Sequence, residues 1–119
     1  LSKKILITDD ARFMRVMLSR IIEEQGYEVI DEANNGEQAI EKYKETTPDL
    51  VTMDITMPKV DGIEATKQIL DYDPNTKIIV CSAMGQKPMV LEAIEAGAKD
   101  FIVKPINKDK VIETISNLL

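Results

Sequence analysis

Short apolar runs recur along the chain at near-regular intervals, at residues 4–8, 28–33, 50–53, 77–82 and 100–103. Each is too short for a helix and several are rich in Ile and Val, which predicts buried strands. Between them the apolar positions return with helical spacing. Met14, Met17, Leu18, Ile21 and Ile22 predict one helical face, Ala39, Ile40 and Tyr43 a second, and Ile63, Thr66, Ile69 and Leu70 a third. Val90, Ala93 and Ile94 predict a fourth, and Val111, Ile112, Ile115 and Leu119 a fifth. Border signals agree with this division. Asn35 followed by Gln38 and Asp61 followed by Glu64 read as capping boxes with an Asn or Asp lead. Pro88 suits a first helical turn, Asn107 an N-cap, and Gly26 and Gly97 helix ends. A strand–helix unit repeated five times predicts an α/β fold: one doubly wound (βα)5 domain over residues 1–119. Its sheet is parallel, covered by helices on both faces and wound by right-handed crossovers.

Composition narrows the function. A chain of 119 residues is one ordinary domain, and with 44% hydrophobic residues it builds a real core. Tryptophan is absent and aromatics are few, so aliphatic side chains and Met must fill that core. The net charge of −6 argues against binding a nucleic-acid backbone, which calls for a Lys and Arg surplus. The lone Cys81 excludes an internal disulfide and fits a reducing compartment. No apolar run approaches a membrane span, and the start shows no secretory signal, so a cytoplasmic protein without a membrane partner is expected. Histidine is missing altogether. Without the commonest general base and zinc ligand, any chemistry must run on carboxylates, hydroxyls and lysine.

In an open parallel sheet, function gathers beyond the carboxyl ends of the strands. The predicted strands end in Asp9-Asp10, in Asp54, in Ser82 and in Lys104-Pro105; only the second delivers no reactive group. Singly, each residue has an ordinary explanation: Asp10 an N-cap, Asp54 a turn former, Ser82 a loop hydroxyl, Lys104 a solvated surface charge. Jointly they do not. Three carboxylates within ~5 Å repel by about 3 kcal/mol per pair at an effective dielectric near 20, which calls for a cation. With neither imidazole nor thiolate pairs on hand, that cation is hard and oxygen-bound, Mg²⁺ with Mn²⁺ as substitute. A carboxylate beside such an ion is a competent nucleophile toward a phosphoryl group, and the acyl phosphate it forms is a timed signal. Asp54 is therefore the expected phosphoacceptor, with Lys104 and Ser82 as further contacts to the phosphoryl group.

The segments ILITDDARFMR, PDLVTMDITMPKVDG, VCSAM and GAKDFIVKP resemble the successive signatures of the two-component receiver (response-regulator) family, in order and at its spacing. The resemblance spans nearly the whole chain and is strongest to single-domain chemotaxis members. It implies a flavodoxin-like sheet in the order 2-1-3-4-5 and a phosphoacceptor at Asp54. It further implies that Asp10 ligates Mg²⁺ directly, Asp9 mostly through water, and Thr56 through its backbone carbonyl. Lys104 corresponds to the lysine that pairs with the acidic site, and Lys104-Pro105 to a cis peptide. Ser82 and Phe101 fall where the family has its switching hydroxyl and aromatic residue. Ser82 replaces the commoner Thr, and Phe101 the Tyr of many chemotaxis members, so the switch is expected to work by packing.

The resemblance also implies an output face on the fourth helix, fifth strand and fifth helix, formed here by Lys87, Val90, Ile94, Phe101, Val103 and Ile106. Val90 is expected to belong partly to the core, and Met84 and Met89 suit adaptable recognition. The implied partners are a histidine kinase as phosphodonor, a flagellar motor switch protein and a phosphatase. The implied state is a monomer whose only catalysis is its own phosphorylation and dephosphorylation. Two alternatives remain within the family: the receiver portion of a longer regulator, and a phosphorelay intermediate that passes phosphate to a histidine. A third, from another class, is a haloacid-dehalogenase-like phosphatase, which places its two Asp residues in a D-x-D motif rather than the adjacent pair found here.

Overall fold

The computed structural model describes residues 2–57 and 59–119. Leu1 and Pro58, the latter within the 48–62 segment, lie outside the described residues. The chain runs β1 (Lys4–Thr8), α1 (Arg12–Glu24), β2 (Glu28–Ala33), α2 (Gly36–Thr46) and β3 (Leu50–Asp54). It continues through α3 (Gly62–Tyr72), β4 (Ile78–Ser82), α4 (Lys87–Glu95), β5 (Asp100–Val103) and α5 (Lys108–Leu118). All five strands are parallel, in the order β2-β1-β3-β4-β5, the doubly wound arrangement expected from the sequence. Two boundaries differ by one residue from the apolar pattern: β3 extends through Asp54, and β4 begins at Ile78 rather than Lys77.

The three interior strands are buried along nearly their whole length, whereas the edge strands β2 and β5 carry polar and half-exposed residues. Alternation along the strands sorts the core into two faces. Leu6, Val51, Met53, Ile78 and Val80 meet Ala39 and Tyr43 of α2, Ile63 and Ile69 of α3 and Ala93 of α4. Ile5, Ile7, Leu50, Ile79 and Cys81 meet Leu18 and Ile22 of α1 and Val111 and Ile115 of α5. Met53 is in the core, but Met14 and Met17 on α1 are only half-buried.

Helix ends follow local chemistry. Asn35, Asp61 and Asn107 accept from the backbone N–H groups of Gln38, Glu64 and Lys110. Pro88 lies in the first turn of α4. At the end of that helix Gly97 has φ +118, its N–H donates to Ile94 and the next N–H to Ala93, the paired bonds of a Schellman stop. One local reading needs correction. Gln38 reaches back to the N–H of Asn34 rather than of Asn35, so the box is displaced by one residue. Among the described residues no helix is long and apolar enough to cross a membrane.

Candidate functional site

The chain passes outward from β1 to β2 and then returns to β3 on the other side of β1, so the switch point of the sheet lies between the ends of β1 and β3. Asp9 and Asp10 follow β1, and Asp54 closes β3. One carboxylate oxygen from each of the three lies within 4.8 Å of the others. Asp9 and Asp54 are buried and Asp10 is exposed, so the cluster opens to solvent on one side.

Asp9 is firmly held. Its Oδ1 accepts from the N–H of Ala11 and its Oδ2 from Lys104 Nζ, both at 2.9 Å. Its main-chain carbonyl accepts from Arg15 at 2.7 Å, and Arg15 is anchored in turn on Glu32 of β2. Asp10 is not an N-cap: Ala11 holds the cap position of α1, and Asp9 supplies the local acceptor instead. Asp54 is 5% exposed yet loosely held, with Thr56 N–H at 3.4 Å and Lys104 Nζ at 3.6 Å from its Oδ1. Gly62 sits so close that a Cβ there would stand 2.0 Å from the Asp54 carbonyl oxygen, and its N–H donates to Ile55. The lack of a side chain at this position lets the start of α3 close over the end of β3.

The electrostatics follow from that packing. Burial, above all, pushes the Asp54 carboxyl up to about 6; the Asp9 charge and the Asp10 carboxyl add to the rise, against Lys104 and the Thr56 N–H. Burial pulls Lys104 down, but its hydrogen bond to Asp9 and the charges of Asp54 and Asp9 outweigh it, so the ammonium titrates above its usual range. Cys81, on β4 behind the site, is pushed up to about 12 by burial and is an inert core thiol.

Three carboxylates converging from two strand ends, with one lysine and neither imidazole nor thiolate among them, form an oxygen-only donor set that fits a hard divalent cation. Lys104 supplies one positive charge against three negative ones, which leaves room for a second cation. The Lys104–Pro105 bond is cis.

Ser82 ends β4, 1% exposed, one residue beyond the partner of Asp54 in the β3–β4 register. Between the β4–α4 segment and β5 lies a cavity of about 330 Å³, lined by Ser82, Met84, Val90, Leu91, Phe101 and Val103 among others. Phe101 is 44% exposed at its outer rim. Of the expected output face, Lys87, Ile94, Phe101 and Val103 are exposed. Val90 is a core residue on α4, and Ile106 is half-buried against the α1–α5 core. Leu91, 52% exposed on the same face, was not singled out by helical spacing. It adjoins Val90 in sequence, and an apolar pair at neighbouring positions spans more than one stripe. Arg15 and Gln86 were also missed. Both act through long side chains onto distant backbone or hydroxyl groups, and nothing local announces such partners.

Fold, acidic cluster and lysine together match the class of two-component receiver domains. The family model for the response regulator receiver domain matches residues 5–116, and the chain belongs to that family. Among curated proteins it is similar to the chemotaxis protein CheY of Thermotoga maritima, 61% identical over 118 residues covering 99% of this chain and 98% of that protein. It is likewise similar to CheY of Bacillus subtilis, 59% identical over 119 residues and covering 100% and 99% of the two chains. Among solved structures it resembles the CheX–CheY–BeF3–Mg complex of Borrelia burgdorferi, with a TM-score of 0.94, 40% identity, and 98% of this chain and 88% of that one covered.

Proposed function

We propose that this chain is a chemotaxis response regulator that accepts a phosphoryl group onto Asp54 and, so modified, changes its affinity for a flagellar motor switch protein. The observation that carries the reading is the state of Asp54 itself. It is buried, loosely held, flanked by two further carboxylates and approached by a lysine ammonium. The similarity to two chemotaxis proteins over nearly the full length of each chain supports the choice of pathway.

In the reaction an Asp54 oxygen attacks phosphorus, and the bond from phosphorus to the donor nitrogen of a kinase phosphohistidine breaks. The imidazole leaves with its electron pair and takes a proton from solvent. Asp9, Asp10 and Asp54, with the Thr56 carbonyl, would hold Mg²⁺ or Mn²⁺. When bound, that ion offsets the negative charge of the transferring oxygens. Lys104, kept protonated by Asp9 and Asp54, offers its ammonium to the phosphoryl oxygens. Water later attacks phosphorus, releasing inorganic phosphate and the free carboxylate; a dedicated phosphatase would hasten this step. The chain then acts as an enzyme only toward itself.

Ser82 carries the report outward. A phosphoryl group on Asp54 draws the Ser82 hydroxyl toward it, and the ring of Phe101 turns into the cavity of about 330 Å³. The face of Lys87, Ile94, Phe101 and Val103 then takes a different shape for the motor partner.

Incubation with acetyl phosphate and Mg²⁺, followed by intact-mass measurement, tests the central claim. One added phosphoryl group is expected for the native chain and none for Asp54→Asn. Uptake that survives the substitution overturns the assignment.

A further inference from the structure

Gln86 occupies the N-cap position of α4 with φ −103 and ψ 26, yet among the described residues its side chain makes no capping bond to that helix. Glutamine is not among the preferred capping residues, which are Ser, Thr, Asp and Asn. Its amide is engaged elsewhere, at both ends. Oε1 accepts from the N–H of Ala83 and Nε2 donates to the hydroxyl of Thr56, each at 2.7 Å. Ala83 directly follows Ser82 at the end of β4, and Thr56 lies two residues beyond Asp54. One side chain therefore ties the segment after β3, the segment after β4 and the start of α4 together at the mouth of the acidic site.

Its neighbours offer little other restraint. Gly85 has φ +87 with open space around it, and Met84 is 78% exposed. Backbone freedom at a glycine and an unpacked side chain leave the 83–86 segment free to move once the tether is released. The far end of the tether is placed to feel Asp54, because the Thr56 N–H faces Asp54 Oδ1 at a slack 3.4 Å. A phosphoryl group on Asp54 is a stronger, doubly charged acceptor for that N–H, and drawing Thr56 inward takes its hydroxyl away from Gln86.

We infer that Gln86 is a positioning residue that fastens the N-terminus of α4 to Thr56 in the unphosphorylated protein and lets it go when Asp54 is modified. This is a route from the site to α4 separate from the movement of Ser82 and Phe101. Its release step rests on the reading of Asp54 as phosphoacceptor; the tether itself does not.

Nuclear magnetic resonance of the full chain tests both parts, with Gln86→Ala, Thr56→Val and the double variant. In the Mg²⁺-free, unphosphorylated state, Thr56→Val should shift the Gln86 side-chain amide signals. Their solvent exchange should also quicken, by about 5-fold, the worth of one partly exposed hydrogen bond. Both single variants should shift the backbone amides of the first turn of α4 alike, and the double variant should add nothing further. Unchanged amide signals of Ile79 and Cys81 report that β4 is intact. Additive effects, or Gln86 signals indifferent to Thr56→Val, overturn the tether. With acetyl phosphate and Mg²⁺, the native Gln86 side-chain signals should move to their Thr56→Val positions. If phosphate is taken up and they stay in place, the release step is wrong. If no phosphate is taken up, the reading of Asp54 fails instead, and the tether is judged by the variants alone.

Discussion

Asp54, buried and facing the Asp9 charge, holds its proton more tightly in the folded chain, with its pKa pushed up to about 6 from the ordinary 3.8 of the unfolded chain. Between those pH values the folded state binds the extra proton, so this group's contribution to stability is fully present below about pH 4 and is lost as the pH rises through about 6. In the presence of a chelator, the stability of the native chain relative to Asp54→Asn should therefore fall across that window. The drop should reach up to about 3 kcal/mol at neutral pH, measured by urea unfolding at a series of pH values. A difference independent of pH would show that burial does not strain this carboxylate. At this scale the sequence was informative where residue type and strand end coincide, as for Asp9, Asp10, Asp54 and Lys104. Taken singly, Asp10 could also have been a cap, since two adjacent Asp residues compete for that role; the turn after β1 awards the N–H of Ala11 to Asp9. Arg15 and the bond from Gln86 to Thr56 stayed invisible because the partners lie 6 to 30 positions away.

The joints between elements decide how rigidly the site is presented. Gly62 opens α3 against the last residue of β3, and a methyl group there would collide with the Asp54 carbonyl. Gly62→Ala should cost roughly 2–3 kcal/mol by chemical denaturation, since backbone rather than a yielding side chain must shift. Asn107→Ala, which removes only the cap of α5, should cost about 1 kcal/mol. Toward β5, the cavity beside Ser82 leaves room for a side chain to rearrange. Ser82→Ala should leave phosphate uptake measurable but greatly shrink the chemical-shift difference between phosphorylated and free protein on β5. If the two forms stay equally distinct, Ser82 does not carry the report. Helix and strand borders were legible because caps, Gly stops and Pro88 act within a few residues. The exposed breadth of α4 was not, because helical spacing reports which residues face the sheet and not how much of Leu91 or Ile94 its neighbours leave uncovered.

For the molecule as a whole, the acidic cluster is a source of repulsion that a bound cation would relieve. Mg²⁺ should raise the unfolding free energy by about 2.7 kcal/mol at one hundred times its dissociation constant, read as a shift in thermal unfolding. Asp10→Asn should abolish most of that gain while leaving the chelated protein no less stable than the native chain. A native chain that ignores Mg²⁺ would remove the metal from the mechanism. Stability and function are opposed here in a specific place: the sheet that brings three carboxylates together is stabilised by the apolar faces on both sides, far from the cluster.

The alternation of strands and helices, their approximate ends, the two-sided core and the residues at the strand ends are all written into the order of residues. These follow from short-range periodicity and from the rule that parallel strands deliver their ends to one side. The tertiary structure alone decided which Asp is clasped and which is free, how close Lys104 stands to each, and that Val90 is core while Leu91 is surface. It also decided that Gln86 reaches across to Thr56. Each of these depends on distances between residues remote in sequence, which are set by how the five βα units pack and not by any pattern within one of them.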